Sequence, residues 1–306
     1  MALASVDLGG TNISASIGLA DGRILAEEQI ATEGQIGPAA VLERISALLR
    51  RMAPSGVEAV GLGVPGLTDG SRTIFLPNLA TQWRGVPAAE ILGISLGCPV
   101  YLMNDARLAA LGELDFGIGR SVENFVLFTL GTGIGGGIVT GGRLRTSGGE
   151  LGHQCIVPDG PLCGCGSRGC LEALASASSI SAEGRRLMLL GHTPKLDAMV
   201  GGDLNQVTPK RMIEAGDLAS IEAIKIASKY LGIGIANVVT SLDPDAVVLC
   251  GGLAQIGDLL LAVVRYEVER RVKMFPIERL KIGVSELGTR AGIFGGIALA
   301  SRHGRL

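Results

Sequence analysis

A duplicated α/β fold with a cleft between its halves is what this 306-residue chain predicts. Three observations carry the prediction. The chain opens with a strand, a Gly-rich turn and a return strand; the same unit recurs about 125 residues later; and strands alternate with helices after each copy.

Taken in order, Leu3 to Asp7, Asn12 to Ile17 and Arg23 to Glu27 read as strands joined by Gly-rich turns. A helix is expected from about Gly37 to Met52, then a strand from Val57 to Val64 and a helix near Pro87 to Leu92. Val100 to Met103 is a strand that runs into Asn104-Asp105 and a helix from Ala106 to about Leu114. The second half repeats the plan. Asn124 to Thr129 and Gly135 to Thr140 form its hairpin around Gly131-Thr132-Gly133, and helices follow at about 178–190, 208–215 and 220–240. A buried strand, Ala246 to Cys250, then meets Gly251-Gly252 and a helix from about Gly257 to Met274. A last helix spans Gly292 to about His303. These readings divide the chain into a small domain, 1–115, and a larger one, 116–291, with 292–306 crossing back to the first. Gly112, Gly117 and Gly119 suggest a hinge over 112–121.

Composition narrows the class. With 47% hydrophobic and 18% charged residues the chain can bury a large core, and its length suits two domains. A mean hydropathy of +0.42 raises a membrane reading, yet the stretches 125–142 and 246–264 are broken by Gly, Thr, Gln or Asp before a span's length. The segment Met1 to Asp7 has neither a basic region nor a long apolar core, so no signal peptide and a cytoplasmic address are expected. A net charge of −2 with scattered Lys and Arg gives no footprint for nucleic acid.

Of the six cysteines, three crowd into Cys163-Gly-Cys165 and Cys170 with metal-like spacing, which favours reduced thiols over disulfides. His153 completes a set of one imidazole and three thiolates. Such a set closes a tetrahedron, so the metal expected is a structural Zn2+. Cys155 is the alternative fourth ligand. Glu150 and Glu172 flank the knuckle, where rigid carboxylates suit the hydroxyls of a sugar.

In Asp7-Leu-Gly9-Gly10-Thr11-Asn12, glycines let backbone N–H groups approach a phosphate while Asp7 could hold Mg2+ through water. A plain Gly-Gly hairpin is the competing reading. Gly131-Thr132-Gly133 lacks the following helix of a dinucleotide fingerprint and reads instead as the partner of the first loop in a phosphate clamp. Asp105, at the end of a strand and the start of a helix, is either a helix cap or a general base that accepts the proton of an attacking hydroxyl. Asn78 offers a loop amide to a sugar, or is an ordinary turn residue. Trp83 reads as packing, Cys98 and Cys250 as small buried hydrophobes, and Gly251-Gly252 as either a strand-to-helix turn or a bed for adenosine.

The Asp7 loop, Asn104-Asp105, the Gly131 loop, Glu150-Leu-Gly-His153 and Cys163-Gly-Cys165-x4-Cys170-Leu-Glu172 together resemble the ROK family of sugar kinases and sugar-responsive repressors, over essentially the whole chain. The resemblance implies duplicated ribonuclease-H-like domains of the actin/hexokinase-type ATPase class, working as a homodimer or homotetramer. It implies ATP-dependent phosphorylation of a hexose, with glucose at its 6-hydroxyl as first choice and N-acetylmannosamine or N-acetylglucosamine as rivals. Asp105 becomes the general base, with Asn78, Asn104, Glu150, His153 and Glu172 around the sugar. Asp7, Gly9, Gly10, Thr11 and Asn12 face the γ-phosphate and Mg2+, Gly131, Thr132 and Gly133 the other phosphates, and Gly251 and Gly252 the adenosine. His153, Cys163, Cys165 and Cys170 hold the zinc. A transcriptional regulator of the same fold is the distant alternative, disfavoured because the first hairpin begins at residue 3 and leaves no room for a DNA-binding segment.

Overall fold

The computed structural model describes residues 2–76, 79 and 83–306. Two compact units divide it: Met1–Glu123 with Gly137–Gly148 and Ser285–Leu306, and Asn124–Gly136 with Gly149–Val284. The chain begins with β1 (Leu3–Leu8), β2 (Asn12–Gly18), β3 (Ile24–Ala31), α1 (Pro38–Met52), β4 (Val60–Val64), β5 (Leu67–Thr68) and β6 (Thr73–Phe75). It goes on with α2 (Ala88–Leu96), β7 (Val100–Asn104) and α3 (Asp105–Phe116). Then come β8 (Phe125–Leu130), β9 (Ile134–Thr140), β10 (Arg143–Leu144), α4 (Leu171–Ala175), α5 (Ala177–Leu189), α6 (Pro194–Val200) and α7 (Pro209–Ala215). The remainder is α8 (Leu218–Leu242), β11 (Ala246–Cys250), α9 (Asp258–Arg271), β12 (Lys281–Val284) and α10 (Ala291–Ser301).

The two large sheets share one plan. Their orders are β3-β2-β1-β4-β7 and β10-β9-β8-β11-β12. In the first, β1 to β3 are antiparallel and β1, β4 and β7 parallel; in the second, β8, β11 and β12 are parallel. The sequence repeat around the two Gly turns is therefore a repeat of topology.

The period-two pattern of β1 builds the first core. Ala4, Val6 and Leu8 join the apolar cluster that includes Val41, Leu42, Ile45, Leu48 and Leu49 of α1. Leu3 clusters with Ile297 and Ala300 of α10, and Ser5 stands beside Gly296. Trp83, fully buried, belongs to the α1 cluster, as its reading as packing anticipates. Cys250 is buried and Cys98 only half-buried.

Helix α10 packs on α3 and β1 through close backbone approach as well as through side chains such as Ile297 and Phe294. A Cβ on Gly295 would stand 1.7 Å from the Leu108 carbonyl, and one on Gly112 would stand 2.2 Å from the Ala291 carbonyl. Gly112 thus lies inside α3 as a packing residue, which corrects its assignment to a hinge over 112–121. The short hairpin β5–β6, the five-residue α4, α6 and the half-buried strand β12 lie beyond what periodicity predicts, since each is too short or too irregularly buried to leave a pattern. Among the described residues, no helix is long and apolar enough to cross a membrane.

Because a backbone carbonyl cannot move aside for a methyl group, Gly295→Ala should cost on the order of 3 kcal/mol of stability, read as a lower urea midpoint with an unchanged slope. A midpoint equal to the parent's would show that α10 is not seated this way.

Candidate active site

Parallel strands β1 and β7 flank β4, in a register that aligns Asp7 with Gly63 and Gly63 with Met103. Asp7 and Asn104-Asp105 therefore reach the same carboxyl edge of one sheet, about 10 Å apart at two strand spacings. Beyond Asp7 the hairpin turn is closed by the Gly9 N–H, which donates to the Asn12 carbonyl at 2.9 Å, and by the Thr32 hydroxyl, which donates to the Gly9 carbonyl at 2.7 Å. Gly10, Thr11 and Asn12 are left exposed at the tip. Burial, and nothing opposing it, raises the Asp7 carboxyl above the ordinary carboxylate range. A carboxylate with no cation beside it among the described residues fits a hydrated divalent ion, whose charge would offset that cost.

The cap of α3 is Asn104. Its Oδ1 accepts from the Arg107 N–H at 3.1 Å, and its Nδ2 donates to the Gly66 carbonyl at 3.1 Å. Asp105 is consequently the first helical residue, its Oδ1 accepting from the Ala106 N–H at 2.8 Å. The cap reading of Asp105 is corrected on this point. Sequence reasoning also passed over Arg107, whose guanidinium donates to the Thr146 carbonyl at 2.8 Å and the Gly148 carbonyl at 2.6 Å.

In the second unit the turn after β8 is pinned from three sides. The Ala177 N–H donates to the Gly131 carbonyl at 2.9 Å, the Gly135 N–H donates to the Thr129 hydroxyl at 3.1 Å, and the Ile134 N–H donates to Glu172 Oε2 at 2.9 Å. The duplication offers a signal for Thr129, since it precedes its Gly loop at the spacing by which Asp7 precedes Gly9. Gly131 and Thr132 line a cavity of about 580 Å³ together with Gly252, Leu253, Lys210 and Ile256. That volume suits a cofactor-sized ligand. Gly251 turns the chain into this cavity at φ 96°, where a Cβ would stand 2.6 Å from the Leu130 carbonyl. Lys210 and Ile256 carried no sequence signal, because they lie on elements joined to the Gly loop only by the fold.

The knuckle is a short two-stranded ribbon. Leu162 pairs with Arg168 and Cys155 with Cys170, and the Cys163 N–H donates to the Ser167 carbonyl at 2.8 Å. The ligand atoms of His153, Cys163, Cys165 and Cys170 all lie within 4.8 Å of one another. Cys165 and Cys170 Sγ are 3.7 Å apart, and Cys163 Sγ is 3.6 Å from His153 Nδ1. A tetrahedron with zinc–sulfur bonds of about 2.3 Å has edges of about 3.7 Å, so the cluster fits that ion. Among the described residues Cys155 is not part of it. Desolvation, reinforced by the neighbouring thiols, pushes Cys170 up to about 12, and burial raises Cys163, whereas the Ser167 backbone hydrogen bond lowers Cys165. A metal there must displace protons that the bare pocket prefers to keep.

Of the residues expected around a sugar, the second unit brings His153 and Glu172 to the knuckle, with Glu150 at the head of the 3-10 turn Leu151–His153. Asn104 and Asp105 stand on the edge of the first sheet. Asn78 lies outside the described residues.

The Asp7 shift has a consequence for stability. Its folded value lies above the unfolded one, so its ionisation favours the unfolded chain, and the penalty grows as pH rises through the unfolded value and on to the folded one. Asp7→Asn should raise the thermal midpoint at neutral pH, with an advantage over the parent that shrinks toward pH 4. A lower midpoint at pH 7 would contradict this account of Asp7.

The sequence pattern of the ROK family matches residues 3–303. Glucokinase from Thermotoga maritima is 35% identical over 311 aligned residues, covering 97% of this chain and 96% of its own. A xylose repressor from Caldicellulosiruptor bescii is 33% identical over 255 residues, 80% of this chain and 63% of its own. Among solved structures, a ROK family glucokinase from Streptomyces griseus in complex with glucose and AMPPNP superposes with a TM-score of 0.86 at 32% identity, covering 99% of this chain and 100% of that one. The fold is the actin/hexokinase-type ATPase fold of the ROK sugar kinases. From its first strand to its last helix, the chain belongs to the ROK family.

Proposed function

We propose that this protein is a glucokinase, transferring the γ-phosphoryl group of ATP to the 6-hydroxyl of glucose. The observation that carries the reading is full-length likeness to glucokinases, with the phosphate loops and the zinc knuckle intact in this chain.

In this reading Asp105 accepts the proton of the sugar hydroxyl as that oxygen attacks phosphorus, and Asn104 fixes Asp105 by capping the helix that begins there. Asn78, Asn104, Glu150, His153 and Glu172 take the other hydroxyls. His153 turns Nδ1 into the metal cluster, so its Nε2 is the atom available to a hydroxyl. Thr132 and Gly133, whose N–H groups have no partner among the described residues, donate to phosphate oxygens, and Gly251-Gly252 let the adenosine lie close to backbone. Asp7 with Gly9, Gly10, Thr11 and Asn12 faces the γ-phosphate, where bound magnesium supplies charge neutralisation. His153, Cys163, Cys165 and Cys170 would hold the zinc, which would supply shape rather than a nucleophile because four protein ligands leave no place for water. A cytoplasmic homodimer is part of the proposal, to be checked by light scattering of the purified protein.

Turnover of glucose, N-acetylmannosamine and N-acetylglucosamine with ATP tests the substrate, and kcat/KM should be highest for glucose. Asp105→Ala should lower kcat by about three orders of magnitude while glucose affinity changes only a few-fold, and near-normal turnover would remove Asp105 as base. Protein purified without chelator should carry about one zinc per chain and lose it in Cys165→Ala, together with thermal stability. Metal-free protein of full activity and unchanged melting temperature would refute the structural zinc.

A further inference from the structure

Glu172 stands where two parts of the second unit meet. It follows Cys170 by two residues in the first turn of α4, and its Oε1 is 3.8 Å from Cys163 Sγ. Its other oxygen, Oε2, accepts the Ile134 N–H at 2.9 Å, at the end of the phosphate turn. Gly133 leaves the space for that approach, since a Cβ there would stand 2.4 Å from Oε2. The opposite end of the turn, the Gly131 carbonyl, is held by the Ala177 N–H at 2.9 Å, and the Ser176 N–H and Ser179 hydroxyl in turn bind the Glu172 carbonyl oxygen at 3.1 and 3.0 Å. Both ends of the turn therefore depend on the segment that begins at the knuckle.

Charge alone gives no reason for this arrangement. A carboxylate beside a turn that receives phosphates repels them, so its presence works against nucleotide binding unless it does something else there. What it does is take up the Ile134 N–H and fix the turn, so that the N–H groups of Thr132 and Gly133 are held in one conformation before a phosphate arrives. We propose that Glu172 is a positioning residue for the nucleotide, a strut that sets the phosphate turn from the metal knuckle, in addition to any contact it makes with the sugar. The inference rests on the kinase reading and adds a nucleotide-directed role to a residue otherwise assigned to the acceptor.

The two possible effects of Glu172 on nucleotide have opposite signs, which makes the test sharp. Affinity for the magnesium complex of a non-hydrolysable ATP analogue is measured by titration calorimetry on the zinc-loaded full chain without sugar. Glu172→Ala should weaken it about 10-fold, because the strut is lost; Glu172→Gln, whose amide oxygen still accepts the Ile134 N–H, should stay within about two-fold of the parent. Glucose affinity, read separately, should fall in both. Nucleotide affinity that is unchanged or tighter in both variants would overturn the strut and leave Glu172 as a sugar ligand only. Should Glu172→Ala not fold, Gly133→Ala displaces the carboxylate while leaving it in the chain, and parental nucleotide affinity in that variant would equally overturn the proposal. In the double variant the two losses should not add, since both act by removing one contact; additive losses would count against it. A parent protein that binds the analogue but does not phosphorylate glucose would sink the substrate reading alone, and one that binds no nucleotide would sink the kinase reading and the strut together.

Discussion

A parallel sheet buried on both faces leaves a chain one place for polar chemistry, the edge where its strands end. Here β1 is buried against α1 by its even residues, while its odd face meets α10, and β11 is buried along its whole length. The groups proposed for the base and for the phosphates lie at such ends: Asp7 near the end of β1, Asn104-Asp105 at the end of β7, the Gly131 turn after β8 and Gly251-Gly252 after β11. The register of each sheet, fixed by the alternation of its side chains, is thereby also the register of its functional groups.

How much of this was legible in the sequence follows from how local each signal is. The hairpins, the long helices and β11 are periodic over enough residues to announce themselves, and the ligand set of the knuckle is written as a spacing of cysteines around glycine. Asp105 was recognisable as a residue at a strand–helix junction. Its relation to Asn104 was not, because both residue types cap helices well and only the backbone decides which side chain meets the Arg107 N–H. Gly112 misled for a similar reason: glycine marks flexibility and close helix packing alike, and the partner that distinguishes them, Ala291, is far along the chain. Lys210 and Ile256 had no signal at all, since a cavity wall is a property of tertiary arrangement.

The knuckle illustrates how little sequence is needed to make a rigid site. Two bridge pairs and one hydrogen-bonded turn bring one nitrogen and three sulfurs within 4.8 Å of one another. The residues just outside that set are as constrained as those within it. Glu150 heads the turn that delivers His153, and Glu172 opens the helix that leaves Cys170. An ion held there, as proposed, would organise side chains that never touch it.

The placement of α10 has a consequence for how the protein is made. The first sheet leaves the ribosome early, yet its odd face, with Leu3, Ser5 and Gly61, is completed by a helix that comes later in the chain than the whole second unit. The second unit, built from residues up to Val284, has all of its chain available before that helix exists. Synthesis from the N-terminus therefore reverses the order of completion, and the opening hairpin waits with one face uncovered while the later unit forms.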